Sequence, residues 1–273
     1  MRHRPSAGPA PRGTAAVATA GGSSPSARSR LLGWKREALI FAIAYLAYEA
    51  TRTLATGGEP EALRNARRVF DLQAMLSSNI ETAVQGAIHA TPFMDIFNIV
   101  YLAAQPVVIP IIVIWAYRRS QRVYRVLRDT LITTWLIALP VYALFPTAPP
   151  RLSGVGLTDT VSGQSGVALD SGFTKLFYNP YAAVPSLHAA FAVAVGVAGA
   201  VIARHWWAKA ALASWGPLVI VATVATGNHF WLDAAAGIAI LILGLVISGF
   251  VVRGGRIWGD PRTAAPALTR AGP

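Results

Sequence analysis

The sequence predicts an all-α integral membrane protein, a six-helix bundle with one extra amphipathic helix lying at the membrane interface. Three observations carry that prediction. Of the 273 residues, 54% are hydrophobic and only 13% are charged, about half the charge of an ordinary soluble domain, which is roughly a quarter charged. The mean hydropathy is +0.47. Six apolar runs follow one another along the chain, each near the ~20 residues a helix needs to cross a bilayer.

Residues 1–35 are built mainly of Ala, Gly, Pro, Ser and Arg, and the first 30 contain no acid. They have no apolar face and predict a disordered basic tail. Such a composition also resembles an organelle transit peptide, but a basic cytoplasmic tail is the simpler reading. One membrane domain then covers residues 36–253, with spans at roughly 38–56, 93–117, 129–145, 187–203, 210–226 and 234–252, and residues 254–273 form a C-terminal tail. Between the first two spans, Leu63, Val69, Phe70, Leu72, Leu76, Ile80 and Val84 fall near a helical period, which predicts a helix on the interface rather than across it.

The net charge of +12 would suggest a nucleic-acid partner in a soluble protein. Its distribution argues otherwise. The N-terminal stretch through Arg36, residues 118–128, residues 204–209 and the C-terminal stretch from Arg253 hold 18 of the 24 Lys and Arg. That asymmetry puts both termini in the cytoplasm, with anionic lipids as partners of the arginines at 118–128. The interfacial helix, residues 146–186 and the turn at Gly227 and Asn228 then face the extracytoplasmic side. Trp206 and Trp207 read as an interfacial belt, Glu49 and Arg52 as an ion pair at the outer end of the first span, and His89 and His205 as structural. There is no cysteine, which excludes disulfides, zinc–thiolate sites and cysteine nucleophiles. "GVGLTDTVSGQSG" is not followed by Lys-Ser or Lys-Thr, so it is no nucleotide-binding P-loop; it reads as a mobile loop near a site entrance.

With that topology three polar clusters meet on the outer face: "FPTAPPRL", "VPSLH" and "GNHFWLD". Pro185 suits a first helical turn, where the amides of Ser186, Leu187 and His188 can donate to an anion. His229 and Asp233 are four apart, on one face of a helix beginning near Asn228. Asp233 can accept from one ring nitrogen of His229 and leave the other nucleophilic. Arg151 supplies a fork for bidentate phosphate binding. No carboxylate cluster has metal-ligand spacing, so neither metal nor cofactor is expected. Ionisable groups gather at one face rather than along the span middles, which disfavours a transporter.

"FPTAPPR", "NPYAAVPSLHA" and "TGNHFWLD" resemble the type-2 phosphatidic acid phosphatase superfamily, and more closely its inositolphosphotransferase branch, which includes inositol phosphorylceramide synthase. The resemblance covers roughly residues 93–252. It implies that His229 is a nucleophile forming a phosphohistidine and that Asp233 orients it. By the same resemblance His188 is the general acid for the leaving alcohol, and Ser186 and Arg151 hold the phosphoryl oxygens. The implied substrate is a phospholipid or a polyprenyl or inositol phosphate, with inositol or another alcohol as acceptor, and simple phosphomonoester hydrolysis is the alternative. The chain departs from the broad pattern at Leu144 and Thr223, where that pattern has a lysine and an arginine. Arg52, Arg64 and Lys175 are candidates to replace them.

Overall fold

The computed structural model describes residues 35, 37–40, 42, 43, 46, 58–164 and 179–254, Gln164 and the last four as backbone only. The described residues before 47 are helical. Glu49, Arg52 and Lys175, both tails, and most of the predicted first span lie outside the described residues, as does the part of the glycine-rich loop beyond residue 164.

The remaining described chain is all-α apart from one β-bridge. The segment expected to lie at the interface forms α1 (Glu59–Met75) and α2 (Glu81–Ile88). Next come α3 (Phe93–Ala103), a π-helical turn (Ala104–Val108) and α4 (Ile109–Arg119), stacked end to end. Pro106 lies in the π turn; it has no N–H and its ring crowds the carbonyl four residues back, so a widened turn accommodates it. α5 (Gln121–Leu144) follows, then the short α6 (Thr160–Gln164), α7 (Leu187–Ile202), α8 (Trp206–Ala213), α9 (Trp215–Ala225) and α10 (Trp231–Gly254). Four continuous stretches are long and apolar enough to cross a membrane: Phe93–Arg119, Gln121–Leu144, Trp206–Ala225 and Trp231–Phe250. They make the chain a multi-pass membrane protein. α7 is apolar but shorter, at 16 residues.

Two boundaries differ from the expectation for physical reasons. The span expected from residue 129 begins at Gln121, because Ser120 in extended conformation caps it, its side chain accepting from Val123 N at 3.3 Å. Arg128 therefore lies inside the helix, buried, with Asp129 at 2.7 Å and its guanidinium over the Tyr124 ring. The interfacial helix is broken at Ser77, whose φ is +50°. Of its apolar positions, Val69 is buried while Leu72, Leu76 and Ile80 are exposed beside Met75. The inward face instead carries Asn65, Gln73, Glu81 and Gln85. Hydrogen bonding to the loops at the end of the bundle selects that face.

Two cores set the frame. Ile112, Ala116, Tyr124, Leu127, Leu131, Val195 and Ala198 pack α4, α5 and α7 together. At the other end Ala62, Ala66 and Val69 of α1 pack on Ala148 and Phe230, which belong to two of the polar clusters.

Candidate active site

Backbone hydrogen bonds join the three polar clusters directly. Thr147 N donates to Tyr181 O at 2.7 Å and Ala183 N to Thr147 O at 3.1 Å, the parallel bridge that ties the first cluster to the second. Arg151 N donates to Gly227 O at 2.9 Å, tying the first to the third, and Ser186 N donates to Asp233 O at 2.9 Å, tying the second to the third. That last contact depends on Gly237, where any Cβ would collide with the Ser186 carbonyl. Gly227 has φ +69°, a left-handed turn that glycine adopts without cost. His188, His229, Asp233, Arg151 and Ser186 are thus brought together, Arg151 and Asp233 from positions 82 apart.

Ser186 is the N-cap of α7, and its Oγ accepts from Ala189 N at 3.3 Å. Pro185 lies before the cap, not in the first turn as expected, and its carbonyl accepts from Tyr142 Oη at 2.7 Å. The Ser186 amide is committed to Asp233 O, so it is not one of the anion donors that were anticipated. The amides of Leu187 and His188 have no acceptor among the described residues and open the helix dipole toward the site. Ser186 still has its hydroxyl proton to donate. His188 stacks on Tyr101, ring centroids 4.5 Å apart, and its ring lies 5.8 Å from that of His229.

His229 sits just before α10 rather than within it. Its amide donates to Thr223 O at 3.1 Å. Nδ1 has Ala183 O at 3.1 Å and Asp233 Oδ2 at 3.3 Å. Both neighbours are acceptors, so Nδ1 carries the proton and Nε2 keeps its lone pair. Burial pushes the imidazole down to about 4. The hydrogen bond to Ala183 opposes that shift and the Arg151 charge reinforces it. The ring is therefore neutral at physiological pH. Asp233 is fully buried, and its Oδ2 also accepts from Phe230 N at 2.8 Å.

Arg151 is buried, but its fork is not wholly open. Nε donates to Asn228 Oδ1 at 3.0 Å, and Nη1 pairs with Asp159 Oδ2 at 2.9 Å. Asp159 and Asn228 were not singled out from sequence, although Asp159 is the first acid after Arg151. The stretch holding Asp159, read as a mobile entrance loop, is fixed over its first part. Thr158 N donates to Gln85 Oε1 at 2.8 Å, and Thr160 Oγ1 donates to Asn98 Oδ1 at 2.9 Å. Leu144 is 81% exposed, whereas Thr223 is buried with its hydroxyl donating to Ile220 O, so neither stands in for a cation. Arg64 is exposed on α1. Among the described residues no three His, Cys, Asp or Glu side chains are grouped to hold a metal ion.

The profile of the PAP2 superfamily matches residues 67–247. The crystal structure of Aquifex aeolicus LpxE is similar at 19% identity and a TM-score of 0.47, covering 62% of this chain and 92% of that one. No curated protein matches.

Proposed function

The chain belongs to the PAP2 superfamily, and from that premise we propose that it is a membrane lipid phosphotransferase working through a phosphohistidine at His229. The observation that carries the proposal is the commitment of His229 Nδ1 to Ala183 O and Asp233 Oδ2, beside a second histidine at 5.8 Å. Nε2 attacks phosphorus, the P–N bond forms, and the P–O bond to the lipid alcohol breaks. His188 gives its proton to the departing alkoxide. An acceptor then attacks the phosphohistidine, and His188 takes the acceptor's proton as general base. Arg151, the Ser186 hydroxyl and the Leu187 and His188 amides meet the charge on the phosphoryl oxygens.

Charge balance favours a phosphodiester donor. Arg151 is the cation that acts on His229, and one of its arms already pairs with Asp159. Leu144 and Thr223 bring no further positive charge. A phosphomonoester dianion would bring two negative charges to a site whose cation is already shared with Asp159, and a phosphodiester brings only one. That supports an inositolphosphotransferase-like reaction with an alcohol such as inositol as acceptor over simple phosphomonoester hydrolysis. The site faces the extracytoplasmic side, and the termini face the cytoplasm. Purified protein with phospholipid labelled in the phosphate, with and without inositol, tests the proposal. Label in an inositol-dependent product is expected; release of label as a soluble headgroup phosphate or, from a phosphomonoester, as inorganic phosphate, at a rate indifferent to inositol, assigns the protein to hydrolysis instead.

A further inference from the structure

We propose that Glu81, assisted by Gln73, is a positioning residue that holds Asp233 on His229 by capping the catalytic helix from outside it. The inference rests on the reading of His229 as nucleophile. The start of α10 lacks a conventional cap: Phe230 precedes it with no polar side chain, and His229 uses its Nδ1 elsewhere. The first free amides of a helix nevertheless need acceptors. Asp233 Oδ2 takes Phe230 N. Trp231 N donates to Glu81 Oε1 at 3.0 Å, and Leu232 N donates to Gln73 Oε1 at 3.3 Å. Gln73 Nε2 donates to the same Glu81 oxygen at 2.8 Å, and the Trp231 indole Nε1 donates to Ser78 O at 2.7 Å. Both acceptors are fully buried, Gln73 at 0% and Glu81 at 1% exposure. They come from a segment some 150 residues earlier in the chain.

The link to chemistry runs through Asp233. Its carboxylate lies in the first turn of α10, where a carboxylate is the natural acceptor for free amides. Its Oδ1 has no partner among the described residues. While Glu81 and Gln73 satisfy Trp231 and Leu232, Asp233 can spend Oδ2 on His229 Nδ1. Without them the Asp233 carboxylate is drawn toward the uncapped amides and away from the imidazole. Glu81 thereby decides which hydrogen bonds Asp233 makes.

The test is kinetic, on the full-length protein in detergent micelles with labelled phospholipid. Glu81→Ala is expected to lower kcat about tenfold with KM little changed, in the range seen when an outer partner of a functional histidine is lost. Glu81→Gln keeps an oxygen for Trp231 N and should recover most of that loss. Because Glu81 acts through Asp233, Glu81→Ala should cost almost nothing further in an Asp233→Asn background. If Glu81→Ala does not fold, Gln73→Met, which removes the Leu232 acceptor at similar volume, carries the same two comparisons. An unchanged kcat in a folded variant, full additivity with Asp233→Asn, or a Glu81→Gln enzyme as slow as Glu81→Ala would each overturn the proposal. His229→Ala separates the two readings: if it stays active the nucleophile assignment fails, and if it is dead while Glu81→Ala is normal, only the positioning role fails.

Discussion

Replacing Asp233 by Asn measures how the tautomer of His229 is held, and the structure predicts a smaller loss than the usual one. When the orienting carboxylate of a catalytic histidine becomes an amide and the tautomer inverts, the rate falls about 10⁴-fold, or about 5.4 kcal/mol. Here Nδ1 has two acceptors, and the Ala183 carbonyl at 3.1 Å is the nearer. A backbone carbonyl cannot become a donor, so the Nδ1–H tautomer survives the substitution. The Asn side-chain oxygen can still accept from Phe230 N, as Asp233 Oδ2 does, which keeps the turn in place. What is lost is the negative charge on that oxygen, which also faces Nδ1 of a ring that becomes cationic when Nε2 is phosphorylated. That is worth about 1.5–3 kcal/mol, or about 10- to 150-fold in kcat. The assay is kcat on labelled phospholipid in micelles, together with label trapped on protein after a non-acidic quench. A loss near 10⁴-fold would refute the reasoning, since Ala183 would then not be holding the proton.

The two histidines should separate by leaving group. His188→Ala should be slower by about 10²–10⁴-fold on a lipid ester and recover much of that loss on an activated aryl phosphate, whereas His229→Ala stays inactive on both; equal deficits on the two substrates for His188→Ala would remove it as general acid. The acid limb of kcat/KM, which reports the free enzyme, should lie near pH 4 rather than 6.5 because the neutral ring is the nucleophile and His229 is pushed down to about 4. By the same linkage the unfolded chain binds a proton that the folded chain refuses between those values, so stability from this group is complete above 6.5 and declines as pH falls toward 4; a limb at 6.5 contradicts the burial of His229. Reporter fusions at Arg119 and at Gly163 should report opposite compartments, and a shared compartment would sink the predicted orientation.

What could be read from sequence here was whatever depends on local pattern. Apolar runs gave the membrane helices, because a span needs length and hydropathy and little else. The short polar motifs gave five residues that the fold brings together, because His-x-x-x-Asp and Pro-Ser-Leu-His are each local arrangements. What could not be read was the non-local partner of each. Asp159 pairs with Arg151 only because Gln85, on α2, takes the Thr158 amide and fixes the loop. Period marked the apolar positions of the α1 segment but not the face that packs on the protein: Leu72 and Leu76 are exposed, and Asn65 and Gln73 are buried. Asn65 Nδ2 donates to Pro146 O at 2.8 Å and Gln73 accepts from Leu232 N, so hydrogen bonds to distant segments seat the inward face, which the period of the apolar residues does not mark. The start of the last helix was missed for the same reason: α10 begins at Trp231, and its first amides find acceptors on other helices.

Those distant acceptors also settle how two neighbouring helix ends divide their work. Each helix N-terminus offers unpaired amides and a positive dipole end, and two open ends side by side would both attract an anion. At α10 the amides of Phe230, Trp231 and Leu232 are taken by Asp233, Glu81 and Gln73. At α7 only Ala189 is capped by a side chain, through Ser186 Oγ, and the amides of Leu187 and His188 remain for a ligand. On the proposed mechanism an incoming phosphate meets free amides at α7, beside His188, while the filled end of α10 holds His229. The buried carboxylates of Glu81 and Asp233, which look costly in a membrane protein, are the acceptors that fill it.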